Sequence, residues 1–196
     1  QREEVRFSEL VEELLTEAQK LAAKGVKELI VIAQDTTYYG LDLYGSRQLG
    51  PLLRKLCKID GIEWIRLHYA YPAHFPDDVI EAVRDEPKIC KYLDIPFQHI
   101  SDRQLRSMRR GVTKEQVYDL IEKLRTEIPD IALRTTLLTG YPGESEEDFA
   151  ELLEFVEKVR FERLGVFPYS EEEGTYSAEQ LDDDVPDEVK QQRADT

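Results

Sequence analysis

The sequence predicts an α/β protein built on a mainly parallel sheet, and three observations carry that prediction. Short apolar runs rich in β-branched and aromatic residues recur along the chain, each of a length typical of a buried strand. Helical patterns separate these runs. Their starts lie roughly 30 to 40 residues apart, which is the length of a βα unit. Strands that alternate with helices favour parallel pairing. The five predicted strands are Glu28–Ala33, Ile62–Ala70, Lys91–Phe97, Ile131–Thr139 and Arg163–Phe167.

The helices are predicted from periodicity, caps and stop signals. An amphipathic stretch with leucines on one face ends at Gly25, a residue typical of a helix C-terminus. Ser101 with Gln104 and Thr113 with Gln116 fit capping boxes for two successive helices. The predicted helices include Ser8–Lys24, Gln48–Cys57, Pro76–Arg84 and Glu144–Arg160.

The first helix comes before any predicted strand, so we expect a further strand upstream of it. Five strands plus one make six, and both an open doubly wound sheet and a partial barrel fit that count. In either fold, ligands bind at the carboxyl ends of the strands. One domain of 196 residues is expected, with a possible tail.

The segment that follows the fourth predicted strand combines a tight turn with a helix start. Gly140 and Gly143 allow positive φ or a close backbone approach. Ser145, followed three residues later by Asp148, is a predicted N-cap. This pattern places main-chain N–H groups beside a gap that glycine permits, where a polar ligand can bind. An ordinary βα turn explains the same pattern.

Polar and aromatic residues follow every predicted strand, and together they indicate a ligand site on one rim of the sheet. No zinc pattern, P-loop, GxGxxG or GxSxG motif is present. The residues alone therefore indicate an α/β ligand-binding domain. The strand-end clusters are 34–40, 68–74, 98–101, 140–144 and 168–170.

Charge and cysteine content narrow the class of protein. A net charge of −15 argues against broad binding to nucleic acid. Residues 171–196 hold ten acidic side chains against Lys190 and Arg193, a composition typical of a solvated or linker segment. No apolar run of about 18 residues or signal peptide is visible. Cys57 and Cys90 form neither a CxxC nor a zinc pattern, so we expect a reducing, cytoplasmic compartment.

Five long phrases of the sequence together resemble the radical S-adenosylmethionine methylthiotransferases. They occur in the family's order and spacing and cover nearly the whole chain, so they are more specific than a short motif. The pairing of the first two favours the protein-modifying branch of the family over the branch that modifies transfer RNA. The phrases are AQDTTYYG (33–40), LHYAYPAHFPDDVIEAV (67–83), YLDIPFQHISDRQLRSMRRGVT (92–113), LRTTLLTGYPGESEEDF (133–149) and RLGVFPYSEEEGT (163–175).

The resemblance implies a partial (β/α)6 TIM-like barrel of the radical type, in which this chain lacks the first strand and the CxxxCxxC cluster loop. It implies a radical core over residues 1–175 and an acidic segment over 176–196 that leads toward a TRAM domain. Family members hold two [4Fe-4S] clusters, one of them in an N-terminal domain. Such clusters need thiolate ligands, and neither Cys57 nor Cys90 falls in the family's motif. We therefore expect part of a longer protein, without a bound cluster or any metal ligand.

The chemistry implied by the resemblance is methylthiolation of an aspartate. In this family S-adenosylmethionine is cleaved to methionine and a 5′-deoxyadenosyl radical, which abstracts hydrogen from the β-carbon, where a methylthio group is then installed. The implied partner is ribosomal protein S-twelve of the small subunit, a basic protein that an acidic surface suits. No membrane is expected as a partner, and nucleic acid is not expected as the direct substrate.

The resemblance also implies which residues bind the cofactor, while it leaves no catalytic residue within this chain. It assigns Gln34 and Asp35 to the methionine amino group, Gln98 and His99 to the neighbourhood of the ribose, and Arg134 to the methionine carboxylate. It assigns Leu138, Gly140, Phe167 and Tyr169 to the adenine. For Arg134 an ion pair with Asp94 is the structural alternative, and for Phe167 it is core packing.

Three other functions remain open. A transfer-RNA-adenosine methylthiotransferase fits the same motifs, although the charge of −15 disfavours it. A non-catalytic barrel that binds a nucleoside is the alternative for this chain alone. An aldolase-type barrel would need a Schiff-base lysine at a strand end, and the predicted rim contains none.

Overall fold

The computed structural model describes residues 10–196, so the predicted helix start at Ser8 lies outside the described residues. The helices are α1 (Val11–Ala23), α2 (Leu41–Tyr44), α3 (Leu49–Leu56), α4 (Asp77–Asp85), α5 (Asp102–Ser107), α6 (Lys114–Glu127), α7 (Glu146–Val159), α8 (Tyr176–Gln180) and α9 (Asp187–Asp195). The strands are β1 (Glu28–Val31), β2 (Trp64–Leu67), β3 (Ile89–Asp94), β4 (Ala132–Thr139) and β5 (Arg163–Pro168).

The strands form a five-stranded parallel sheet in the order β1-β2-β3-β4-β5, and the predicted α/β class is confirmed. A doubly wound sheet reverses its strand order at a switch point. The order here is that of the sequence, as in a TIM-like barrel, although these five strands do not close. The strand order therefore decides between the two folds that the sequence left open.

The predicted strands are all present, with shifted ends. β2 is shorter than predicted, and β3 begins at Ile89 and ends at Asp94, three residues before the predicted end. Pro96 has no backbone N–H to donate to a neighbouring strand, which is consistent with the early end. Beyond it, Gln98 makes a single parallel bridge with Leu137.

The chain divides into two compact units. Within the described residues, the first unit consists of 10–94 together with Glu122–Ala132. Within it β1 pairs with β2 from Glu28↔Trp64 to Val31↔Leu67. Ile65 and Leu67 point into the core and are almost completely buried, while Trp64 on the opposite face is half exposed. The core of this unit also contains Leu53, Val79, Val83 and Leu93.

The second unit consists of Ile95–Ile121 together with Leu133–Thr196. Its core is aromatic. The ring of Phe155 meets those of Tyr118, Phe97 and Phe161 at 5.5, 6.1 and 5.3 Å. Edge-to-face pairs of this kind each contribute about 0.5–1.5 kcal/mol beyond the area they bury.

The predicted capping boxes have different outcomes. Thr113 and Gln116 bond reciprocally, so this capping box is confirmed. The N-cap predicted at Ser145 is also confirmed, and Asp148 bonds back to Ser145 at the start of α7. The box at Ser101 is wrong. Ser101 does precede α5, but its hydroxyl makes no cap and donates to Asp148 at 2.5 Å. The carboxylate of Asp148, which is distant in the sequence, thus replaces the local backbone partner expected near Gln104.

The acidic C-terminal segment is folded within the second unit, which the sequence did not predict. Residues 187–195 form α9, which packs against β5. Lys190 and Arg193, two basic residues of this segment, are buried.

Candidate functional site

One face of β4 and β5 brings together several of the predicted cofactor-binding residues. Residues alternate along β4, so that Arg134, Thr136 and Leu138 are half-buried while the intervening side chains are fully buried. Thr136 lies beside Gly165 in the register and Leu138 beside Phe167. Arg134, Leu138 and Phe167 therefore share one face of the second unit.

Gly165 leaves space on that face. A methyl group at this position would lie 3.6 Å from Nη2 of Arg134, 3.9 Å from Oγ1 of Thr136 and 3.5 Å from the Phe167 ring. The space left by the absent side chain of Gly165 is therefore bordered by a cation, a hydroxyl group and an aromatic edge. A guanidinium group suits a carboxylate, and an exposed ring suits a flat base.

Gln98 is held beside β4 in an unusual backbone conformation. Its φ is +70°, in the left-handed region that residues other than glycine rarely occupy. Its N–H donates to the Thr136 carbonyl at 2.9 Å, and its own carbonyl accepts from Leu138 N at 2.8 Å. Such strain costs on the order of 1–3 kcal/mol and clusters at functional sites.

The two predicted base-contacting aromatics differ in exposure. Phe167 is 55 % exposed, which excludes core packing as its role within the described residues. Tyr169 is only 8 % exposed, with its ring 5.2 Å from that of Tyr141. Its hydroxyl is buried and has no hydrogen-bond partner among residues 10–196, so this side chain retains an unused donor.

His99 is completely buried, and both ring nitrogens contact protein groups. Nδ1 accepts the N–H groups of Ile100 and Ser101 at 2.9 and 3.0 Å. Nε2 must then carry the proton, and it donates to Oε2 of Glu144 at 3.2 Å. The ring therefore holds the backbone that follows Gln98, while its assignment to the ribose stays a prediction.

The turn after β4 has the predicted backbone, but its gap is filled. Gly140 and Gly143 have φ of +69° and +76°, as predicted. A Cβ at Gly140 would overlap Cγ of Lys190, and the N–H of Gly143 donates to Oδ1 of Asp184 at 2.6 Å. The gap at Gly140 is thus not open to a ligand, because Lys190 occupies it. Cofactor binding by Gly140 remains a prediction for its other side.

Asp148 anchors the start of α7 as a carboxylate. Burial acts to raise the pKa of this carboxyl group, but hydrogen bonds from Ser101, Ser145 and Arg103 outweigh burial and hold the pKa well below its ordinary value. Arg103 also donates to the carbonyl of Gly143 at 2.6 Å. The negative charge of Asp148 therefore helps to hold the turn in place, because Arg103 connects it to the backbone of Gly143.

In the first unit, Gln34 and Asp35 follow β1 directly. Gln34 is exposed. Asp35 is half-buried and caps a short 3-10 turn, because its Oδ1 accepts from N and Oγ1 of Thr37 at 2.9 and 2.6 Å. Binding of the methionine amino group by these two residues stays a prediction.

A row of polar side chains lies on one face of β1, β2 and β3 in the same unit. Arg66 donates to Glu28 at 2.7 Å, a contact that raises the pKa of Arg66, and it lies over the ring of Tyr92. Asp94 is buried, with Oδ2 3.8 Å from Nδ1 of His68. The sequence did not predict these side chains as one group, although the alternation along β2 indicates which face Arg66 occupies.

The cysteines do not form a metal site. Burial raises the pKa of the Cys57 thiol to about 11 and also raises that of Cys90. Among residues 10–196 no group of three or more His, Cys, Asp or Glu side chains is arranged to hold a metal ion. This part of the chain therefore does not by itself fit an iron–sulfur cluster, which needs several thiolates. Within the same residues no helix has both the length and the apolar character required to cross a membrane.

The family model of the Radical SAM superfamily matches residues 1–156 of this chain. The match covers more than half of the sequence, so the chain belongs to that superfamily.

The sequence is also similar to that of ribosomal protein uS12 methylthiotransferase RimO from two bacteria. It is 62 % identical to the protein of Christiangramia forsetii over 94 % of this chain and 41 % of that protein. It is 57 % identical to the protein of Bacteroides thetaiotaomicron over 96 % of this chain and 43 % of that protein. The resemblance inferred from the strand-end motifs is confirmed. The chain spans less than half the length of these relatives.

Solved structures confirm the fold. Coproporphyrinogen III oxidase (HemN) from Escherichia coli, a radical SAM enzyme, matches with a TM-score of 0.66 at 20 % identity over 90 % of this chain and 42 % of its own. The radical S-adenosylmethionine methyltransferase TsrM from Kitasatospora setae matches with a TM-score of 0.64 at 18 % identity over 81 % of this chain and 31 % of its own.

Several residues of the site escaped sequence reasoning. Thr136 shares a face with Arg134 and Leu138, and strand alternation would have found it. Glu144 and Arg193 lie 49 residues apart and meet in the core of the second unit. No local pattern signals a contact between residues so far apart in the sequence.

Proposed function

We propose that this chain is the S-adenosylmethionine-binding core of an enzyme that methylthiolates the β-carbon of an aspartate in ribosomal protein uS12. The observation that carries the proposal is the 62 % identity over 94 % of the chain to a uS12 methylthiotransferase. A radical core of this class supplies hydrogen abstraction when its cofactors are bound, and the protein supplies binding and orientation.

The face of β4 and β5 fits the proposed cofactor. In our proposal Arg134 donates to the methionine carboxylate, and Leu138 and the half-exposed ring of Phe167 contact the adenine. Gly165 gives the ligand room between them. Tyr169 has a buried hydroxyl without a partner among residues 10–196, which fits a donor kept for a polar ligand atom. Gln34 and Asp35, in the first unit, stay predictions.

The proposed partner and compartment follow from charge and from the relatives. The proposed target is a basic ribosomal protein, and a chain of net charge −15 favours a basic partner over a nucleic acid. Ribosomes are cytoplasmic, so we propose a cytoplasmic location. The iron–sulfur clusters of such an enzyme would be held by residues other than those described.

The cofactor site is tested by calorimetric titration of the chain with S-adenosylmethionine. Arg134→Met should weaken binding on the order of tenfold or more, because a charged hydrogen bond to the carboxylate is lost. Arg106→Met, an exposed arginine of α5, is the matched control and should leave the affinity unchanged. Equal affinities for the two variants would contradict the assignment of Arg134.

The substrate is tested in cells that lack the gene. Mass spectrometry should find the methylthio group missing from an aspartate of uS12 and still present on transfer RNA. The opposite result would support the transfer-RNA-modifying alternative.

A further inference from the structure

Helix α9 contacts the turn after β4 through two basic residues that are buried in an acidic segment. Arg193 is 7 % exposed, and its Nη1 lies 2.7 Å from Oε1 of Glu144 and 3.2 Å from the carbonyl oxygen of the same residue. Its Nη2 lies 2.5 Å from Oε1 of Glu146. The planar fork of an arginine can hold a carboxylate and a carbonyl group at once, which a lysine ammonium cannot reproduce.

Glu144 connects Arg193 to a second backbone segment through His99. Its carboxylate is completely buried and is shared, with Oε1 accepting from Arg193 and Oε2 from His99. His99 in turn holds the N–H groups of Ile100 and Ser101. One carboxylate therefore links α9 to both segments that carry proposed cofactor residues, the one at Gln98 and the one at Gly140.

Lys190 makes a separate contact with the same turn. Its backbone and side chain lie directly against Gly140, and its carbonyl accepts from Oγ1 of Thr139 at 3.1 Å. Its Nζ is neutralised by Asp183 at 2.6 Å and Asp187 at 3.0 Å. The stem of Lys190 thus fills the space left by the glycine, while its charge is paired within the C-terminal segment.

We propose that Arg193 and Lys190 are positioning residues for the cofactor site. Helix α9 acts as a latch that holds residues 140–144 and, through Glu144 and His99, the backbone at Gln98. Neither basic residue is assigned to the ligand itself. The inference rests on the proposed function, since it concerns the site in which S-adenosylmethionine would bind.

The experiment compares Arg193→Met with the double variant Glu144→Gln/Arg193→Met in this chain. A buried charge left without its partner destabilises a fold, whereas removal of both partners is far less harmful. Thermal unfolding should therefore show a loss of stability in the single variant and a substantial recovery in the double variant. Calorimetry at a temperature at which both variants are folded should show S-adenosylmethionine affinity reduced about tenfold in each variant. A change of that size is typical of the coupling free energy between two sites in a protein.

Hydrogen exchange provides a readout that needs no ligand. The amides of residues 138–145 should exchange faster in both variants, because the latch is lost in each. Gln192→Met, on the exposed side of α9, should change neither exchange nor affinity. Leu124→Ala, a buried residue of the first unit, should lower stability without loosening these amides.

The outcomes separate the inference from the proposed function. Recovery of affinity together with stability in the double variant would show that Arg193 is merely structural and would overturn the inference, as would unchanged exchange of residues 138–145. Absence of S-adenosylmethionine binding by the unsubstituted chain would refute the proposed site. The exchange experiment would then still decide whether the latch exists.

Discussion

The loop after β1 and the turn after β4 follow equivalent strands, and both were predicted to bind the same ligand, yet different forces hold them. In the loop after β1, Asp35 caps its own 3-10 turn and Thr36 donates to the carbonyl of Tyr69. In the turn after β4, Glu144 and Asp148 are buried carboxylates that accept hydrogen bonds from other segments of the second unit. The first region is held by a half-buried carboxylate that caps its own turn and by a hydrogen bond to a backbone carbonyl, whereas the second is held by buried carboxylates.

This difference has a consequence for the ligand. The side chain of Gln34 remains exposed after β1. The glycine gap and the Gly143 N–H after β4 are instead occupied by Lys190 and Asp184. Under the proposed function, the strand end after β1 would bind the ligand directly, and the turn after β4 would support a neighbouring binding face.

The largest expected difference between the two regions concerns their arginines. Arg193→Met should lower the free energy of unfolding by about 3–5 kcal/mol, because it leaves the buried carboxylate of Glu144 without its cation. Arg47→Met removes a hydrogen bond to the carbonyl of Thr37 in the loop after β1 and should cost about 1 kcal/mol. Urea unfolding of both variants measures the two values. Equal losses of unfolding free energy would show that the ion pair with the buried carboxylate contributes no more than an ordinary hydrogen bond.

A smaller difference is expected for the glycines. Gly140→Ala combines a positive φ with a clash against both the side chain and the backbone of Lys190, and should cost about 2–4 kcal/mol. Gly40→Ala, at a φ of +86°, meets chiefly the side chain of Gln48 and should cost about 1–2 kcal/mol. Thermal unfolding of the two variants gives the comparison. A smaller loss of stability for Gly140→Ala than for Gly40→Ala would mean that α9 moves away readily. That result would also count against the proposal that α9 is a latch.

The last expected effect depends on pH and concerns Asp148. Its pKa is lower in the folded protein than in the unfolded chain, so the stability it contributes is fully present above the unfolded value of about 4 and is lost as the pH falls through the folded value. Asp148→Asn should therefore lower stability at neutral pH and flatten the decline of stability on acidification. Urea unfolding between neutral pH and pH 3 checks this. An unchanged acid profile in the variant would contradict the assignment.

Much of the site could be placed from sequence because strand periodicity and turn chemistry are local. The alternation through Arg134 and Leu138, the reciprocal cap of Ser145 and Asp148, and the positive φ at Gly140 all depend on residues within a few positions of one another. Prediction failed at Ser101, whose local partner Gln104 competed with the carboxylate of Asp148, 47 residues away.

The sequence by itself determined the parallel α/β class, the superfamily and the order of strands and helices, since these depend on hydrophobic period and on motifs read along the chain. Only the tertiary structure decided which charges are buried. Lys190 and Arg193 lie in a segment with ten acidic residues, so the sequence predicts that they are exposed to solvent. Both are nevertheless buried against the turn after β4. The physical reason is that a buried ion pair depends on geometry between distant segments, and linear spacing contains no record of that geometry.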